Sequence, residues 1–159
     1  MSEITLEDLS KLLSHPVFLS GVFAWFSAQF IKAVIEAVRF RNRRKRGLIV
    51  TLIWTTGGMP SSHASVVSAL TTAMAFKVGI SEPLFMLTLF FAILTIRDAL
   101  GVRRSTGIQA RALNQVMADL NNQLGTNYKS VKEVHGHKAS EVLVGILLGL
   151  FLAVAFCSL

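Results

Sequence analysis

The chain has 159 residues, enough for one domain and too few for two well-packed ones, so residues 1–159 are read as a single domain. Apolar residues make up 52 % and mean hydropathy is +0.56, which excludes an ordinary water-soluble domain and fits a small integral membrane protein. The formal net charge of +7 does not point to nucleic acid: six of the sixteen basic residues fall within 39–46, at the end of an apolar run, and the loops lack aromatic interleaving.

Residues 1–14 form a short amphipathic lead-in, with Ile4, Leu6, Leu9, Leu12 and Leu13 on one helical face. This start is acidic and has no basic n-region, so no cleavable signal peptide is expected. Residues 15–38 are long enough for a first span. Its second half carries Gln29, Lys32 and Glu36, and ionisable groups within a span face a partner, a cavity or the interface; Lys32 also has the option of snorkelling toward the headgroups. A basic loop follows at 40–46, then the apolar run 47–56, too short to span and read as a re-entrant or interfacial segment. It leads into TTGGMPSSH at 55–63. Glycines permit close backbone approach, proline suits a first helical turn, and a helix N-terminus presents unpaired N–H groups to an anion; an ordinary turn that starts a helix fits the same residues.

Residues 60–78 are a second span rich in Ser, Ala and Thr, 79–83 a tight turn, and 84–100 a third span ending among Arg97, Asp98, Arg103 and Arg104. Residues 107–124 change to an amphipathic pattern expected to lie along a surface or over the bundle. A polar loop at 125–138 precedes the last span, 139–159, where the single cysteine, Cys157, excludes an internal disulfide. The expected fold is all-α: an integral membrane helical bundle of four spans, with a re-entrant segment and an amphipathic helix on the cytoplasmic face. The basic loops place the long connections in the cytoplasm and both termini outside. Lys32, Arg39, the Gly-Gly turn, His63, Asp98, Arg103, Arg104, His137 and Glu141 then share the cytoplasmic end, as a site for an anionic lipid headgroup requires.

Lys32 and Arg39 have the spacing K-x6-R, Pro60-Ser61-Ser62-His63 follows, and His137 and Glu141 form H-x3-E. In this order the chain resembles the type 2 phosphatidic acid phosphatase superfamily, with motifs K-x6-R-P, P-S-G-H and S-R-x5-H-x3-D. It is most similar to that superfamily's divergent branch of small bacterial and plant membrane proteins, through GGMPSSH, DALGVRRSTGIQARALN and GHKASEVLVG. Phe40 replaces proline, Ser62 glycine and Glu141 aspartate. The expected S-R pair is Ser130-Val131, so Arg103 or Arg104 is inferred to supply the missing arginine.

A phosphomonoester dianion needs charge neutralisation, an in-line nucleophile and an acid for the leaving oxygen. The resemblance implies that His137 attacks phosphorus to give a phosphohistidine and that His63 serves the leaving group and then water. On a helix, Glu141 is one turn from His137 and would accept its other ring N–H; His135 is the rival nucleophile, less well spaced from Glu141. Lys32, Arg39, Gly58, Ser61, Ser62, Arg103 and Arg104 are the expected phosphate contacts, with Asp98, Gln109 and Asn114 as supporting residues without an assigned chemical step. No metal and no cofactor are expected. His63 as a mere helix cap, Arg103 and Arg104 as topogenic charges, and Asp98 as a partner of a neighbouring arginine are the plainer alternatives. The expected activity is a lipid phosphate phosphatase of a bacterial inner membrane with its site at the cytoplasmic face. Phosphatidylglycerol phosphate or phosphatidic acid is favoured over undecaprenyl diphosphate. The alternative is a non-catalytic membrane protein that binds anionic headgroups or a protein partner. The partners are therefore the bilayer and a lipid phosphate, and a homo-oligomer is compatible with such a bundle.

Overall fold

The computed structural model of the protein describes residues 5–39, 58–133, 136 and 138–158, with only the backbone considered at Glu36, Arg39 and Arg103. Among these residues the chain forms six helices and no strand. The basic loop at 40–46 and the expected re-entrant segment at 47–56 lie outside the described residues.

Helix α1, Leu6–Ser14, starts in a capping box. The Thr5 hydroxyl accepts from the Asp8 N–H at 3.2 Å, and the Asp8 carboxylate accepts from the Thr5 N–H at 3.0 Å. Hydrogen bonds from the Thr5 side chain and backbone hold the Asp8 carboxyl below its ordinary value. Leu6, Leu9, Leu12 and Leu13 stay exposed, an apolar stripe with no cover among the described residues.

Four helices form the bundle: α2, Pro16–Arg39; α3, Ser62–Lys77; α4, Pro83–Leu100; and α6, Ala139–Ser158. Three stretches are long and apolar enough to cross a membrane: Pro16–Ile35, Pro83–Leu124 and Ala139–Ser158. Four spans are expected from the sequence; the second of them, at 60–78, corresponds to α3, which has 16 residues and a length of about 24 Å. It is the central helix, packed on α2, α4 and α6.

Small residues explain that position. Ser61, Ala64, Ser65, Ala69 and Ala73 are buried on α3 and its cap, and Gly145, Gly149 and Ala153 recur at four-residue steps on the buried side of α6. A Cβ at Gly145 would stand 2.5 Å from the Ser61 carbonyl oxygen, and one at Gly149 would overlap the Ser65 carbonyl oxygen. Only glycine lets these backbones approach so closely. Hydroxyls on α3 then donate to neighbouring carbonyls: Ser65 to Ala24 at 3.3 Å, Ser68 to Ile146 at 3.0 Å and Thr71 to Thr88 at 3.1 Å. Large apolar side chains such as Phe26, Phe30, Phe90 and Phe151 face outward.

These contacts also set direction. Ser61 meets Gly145 and Ser65 meets Gly149, so α3 and α6 run parallel; Gly21 meets Leu70 while Ala24 meets Ser65, so α2 runs against them. The Thr71–Thr88 bond and the Ala64–Ala99 cluster make α4 antiparallel to α3. One end of the bundle thus gathers the C-termini of α2 and α4 and the N-termini of α3 and α6.

Helix α5, Val102–Leu124, starts five residues before the expected boundary at 107. Gly101 keeps a right-handed conformation and accepts from the Ser105 N–H at 3.0 Å, so α4 passes into α5 with no intervening loop. Among the described helices α5 touches only α4, and it does not lie over the rest of the bundle. The chain reverses at Gly125, whose φ of 63° suits glycine, and the expected polar loop returns along α5 as an ordered extended segment. Asn121 exchanges two hydrogen bonds with the Tyr128 backbone, at 2.8 and 2.9 Å, and Asn114 does the same with Val131, at 2.8 and 3.0 Å. Seven residues of helix advance about 10.5 Å and three residues of extended chain about 10 Å, so both amides meet the return segment in register. Glu133 closes the staple, accepting from Asn114 at 3.1 Å and pairing with Arg111 at 3.3 Å.

Candidate functional site

The reversal brings the start of α6 back to the end of the bundle where α3 begins. A Cβ at Gly136 would overlap the backbone of Arg104, so the chain one residue before His137 lies against the first turn of α5. Further along, the Ser61 N–H donates to the Glu141 carbonyl oxygen at 2.9 Å. This bond joins the Pro60-Ser61-Ser62 stretch to the H-x3-E stretch directly.

Lys32 completes the meeting point from α2. It is only 5 % exposed, and its ammonium donates to the Ser62 hydroxyl at 3.3 Å. The Glu141 carboxylate attracts the same ammonium. Side chains on a helix lean toward its N-terminus, which is how Lys32, on the last turns of α2, reaches down to the first turn of α3. Lys32, Ser61, Ser62 and Glu141, from three separate parts of the chain, are thereby brought together.

The serines differ in their commitments. Ser61 is fully buried and caps α3, its hydroxyl accepting from the Ala64 N–H at 3.4 Å. Its own N–H is bonded to the Glu141 carbonyl and so is not available to an anion. Ser62 turns its hydroxyl to Lys32. Gly58 is exposed with φ of 83°, which suits glycine. His63 is exposed in the first turn of α3, at the rim of the cluster.

Glu141 has a duty that H-x3-E does not disclose. Its carboxylate accepts from the Lys138 N–H at 3.1 Å, and the Lys138 carbonyl accepts from the N–H groups of Glu141 and Val142 at 3.0 and 3.3 Å. Lys138 is therefore the cap of α6. The expected helical pairing of His137 with Glu141 falls on a residue outside the described ones, whereas Glu141 itself sits at the third position of the helix.

His135 and His137 lie outside the described residues, as do the side chains of Arg39 and Arg103. Arg104 is exposed beside Gly136, and Asp98 is half-buried on the last turn of α4. Gln109 is exposed on α5. Asn114 is a structural staple on the return segment, which gives it the role the sequence leaves open. Val131, in the position of the expected arginine, has its backbone pinned to Asn114, whereas Arg104 lies against the residue preceding His137.

Gln29 lies one turn before Lys32 on the adjoining side of α2. It is 5 % exposed, and its carbonyl oxygen has no hydrogen-bond partner among the described residues. The sequence signal for it is a polar residue inside a span, one turn before an ionisable one. No group of three or more His, Cys, Asp or Glu suited to a metal occurs among the described residues.

Comparison with known proteins fits this arrangement. No solved structure matches the chain. An uncharacterized membrane protein, YuiD of Bacillus subtilis (strain 168), is 37 % identical over 161 residues, covering 92 % of this chain and 99 % of the relative. The Divergent PAP2 family matches residues 13–152, which include α2 through most of α6 and every residue of the cluster, and the chain belongs to that family.

Proposed function

We propose that the protein is an integral membrane lipid phosphate phosphatase acting without a metal through a phosphohistidine on His137. The observation that carries this reading is the buried Lys32 ammonium, bonded to Ser62 at the start of α3 and joined through Ser61 to the first turn of α6. A cation held away from water beside a helix N-terminus provides a strong fixed field for a phosphate dianion. The ammonium supplies a point charge, and Arg104, beside Gly136, with Arg39 and Arg103 supplies bidentate contacts. His63, at the exposed rim, protonates the leaving alcohol and then takes a proton from the attacking water. Glu141 stabilises the charge on Lys32 and holds the start of α6, which fixes where His137 enters the site.

The cluster lies at the end of the bundle where α2 stops, just before the basic run 39–46 in the sequence, which supports a site on the cytoplasmic face. Phospholipid-synthesis intermediates such as phosphatidylglycerol phosphate or phosphatidic acid present their phosphates there. The experiment is phosphate release by purified protein in detergent from a panel of lipid phosphates, with His137→Ala and His63→Ala beside wild type. Release is expected to vanish with His137→Ala and to fall about 10²-fold or more with His63→Ala; release that survives both substitutions sinks the mechanism. The altered third motif, with Val131 where an arginine is expected, supports a second reading: a binder that retains the anion site without turnover. Saturable lipid binding with no vanadate-sensitive phosphate release would favour it.

A further inference from the structure

The geometry points to Gln29 as the residue that reads the alcohol of the substrate: we propose that its side-chain carbonyl accepts a hydrogen bond from a free hydroxyl on the carbon next to the phosphoester carbon of a lipid phosphomonoester. The proposal rests on the phosphate site of the preceding section and names the substrate class for it.

Two contacts place Gln29. Ala24 accepts from Ser65, and Lys32 reaches Ser62, so Gln29 lies between these pairs in height, about 60° round α2 from Lys32 on the adjoining side. With α2 and α3 antiparallel, Gln29 stands level with the start of α3. It is one turn nearer the middle of the membrane than Lys32, within the stretch Pro16–Ile35. A phosphate held by Lys32 therefore has its ester side toward Gln29, because the alcohol of a membrane lipid leads back into the bilayer.

The chemistry of the orphan atom selects the class of group. Gln29 is more than nine-tenths buried and its carbonyl oxygen lacks a donor, a vacancy that costs stability until a ligand fills it. A phosphate dianion offers only acceptors and does not satisfy it. Ester carbonyls and hydrocarbon chains do not either. A hydroxyl beside the phosphoester does, and a lipid without that hydroxyl leaves the amide unpaired in the complex. Sites built around a buried polar group discriminate most strongly in this direction.

The test uses two single-chain lipids that differ in one atom: 1-acyl-2-hydroxyglycerol 3-phosphate and its 2-deoxy counterpart, 1-acylpropanediol 3-phosphate. Wild type and Gln29→Met are assayed in dodecylmaltoside for phosphate release and for the rise in Tm that each lipid causes. Methionine keeps the volume and removes the orphan amide, so the variant is expected to hold or exceed the wild-type Tm. Wild type is expected to favour the hydroxy lipid about ten- to hundredfold in kcat/KM, and Gln29→Met to bring the ratio near one. Equal rates for both lipids with wild type overturn the proposal while leaving the phosphatase intact, as does a preference that persists in Gln29→Met. A donor common to both lipids, such as a protonated phosphoryl oxygen, gives that equal result. If neither lipid is hydrolysed, the phosphatase reading rests on the wider lipid panel and not on this pair. The Tm shifts then speak for Gln29: a larger shift with the hydroxy lipid that disappears in Gln29→Met supports the recognition, and equal shifts overturn it.

Discussion

Lys32 keeps an ammonium inside the bundle beside a neutral hydroxyl at 3.3 Å, an arrangement that costs stability and is retained where a ligand uses it. Lys32→Met fills the same space without the charge. It is expected to hold or raise Tm while phosphate release falls about 10²-fold or more, read by thermal unfolding and release on one preparation; a lowered Tm with normal release would contradict a ligand-binding role. The two serines separate in the same way. Ser61→Ala removes the α3 cap and is expected to cost about 1 kcal/mol with most activity kept, whereas Ser62→Ala leaves the fold intact and releases the lysine from its partner. Activity lost in the first and retained in the second would reverse the assignment of cap and ligand contact. The sequence identifies the four residues of the PSSH stretch as a unit. It does not tell capping from binding within the unit, because both uses ask for a small hydroxyl at a helix start.

At the level of helices, the contact between α3 and α6 governs the site, since the Ser61–Glu141 bond exists only while those two backbones touch. Gly149→Ala is expected to lower stability by about 1–3 kcal/mol, because the added Cβ would overlap the Ser65 carbonyl, which cannot swing aside. Leu147→Ala, on the exposed side of α6, serves as the control with a small effect in the same detergent unfolding assay. Equal losses from the two would remove the close approach as the source of stability. The steps of four through Gly145, Gly149 and Ala153 are visible in the sequence as a small-residue stripe. The partner of that stripe is not, because several helices are rich in Ala and Ser. The return segment behaves similarly. Asn114 and Asn121 are seven apart and share a face of α5, but only the folded chain shows that face holding residues 128–131 rather than water.

For the whole bundle, orientation follows from the charges at its two ends. Single cysteines at Asn42 and Asn127, introduced after replacing Cys157, are expected to resist a membrane-impermeant thiol reagent in intact cells and to react after permeabilisation. Modification of both from outside would place the site on the other face and remove the preference for phospholipid-synthesis intermediates. The spans at 15–38, 84–100 and 139–159 are legible from hydropathy alone and lie within a few residues of the observed helices, because burial of an apolar run in lipid depends on local composition. The order of motifs, and hence the family, is legible for the same local reason. Folding decides what no local pattern contains: that α3 and α6 run parallel, that the chain from Gly125 doubles back along α5, and that the Glu141 backbone holds Ser61 while its carboxylate holds the Lys138 cap. These depend on which surfaces fit against one another over distances of dozens of residues. The meeting of Lys32, Ser62 and Glu141 is a property of that fit.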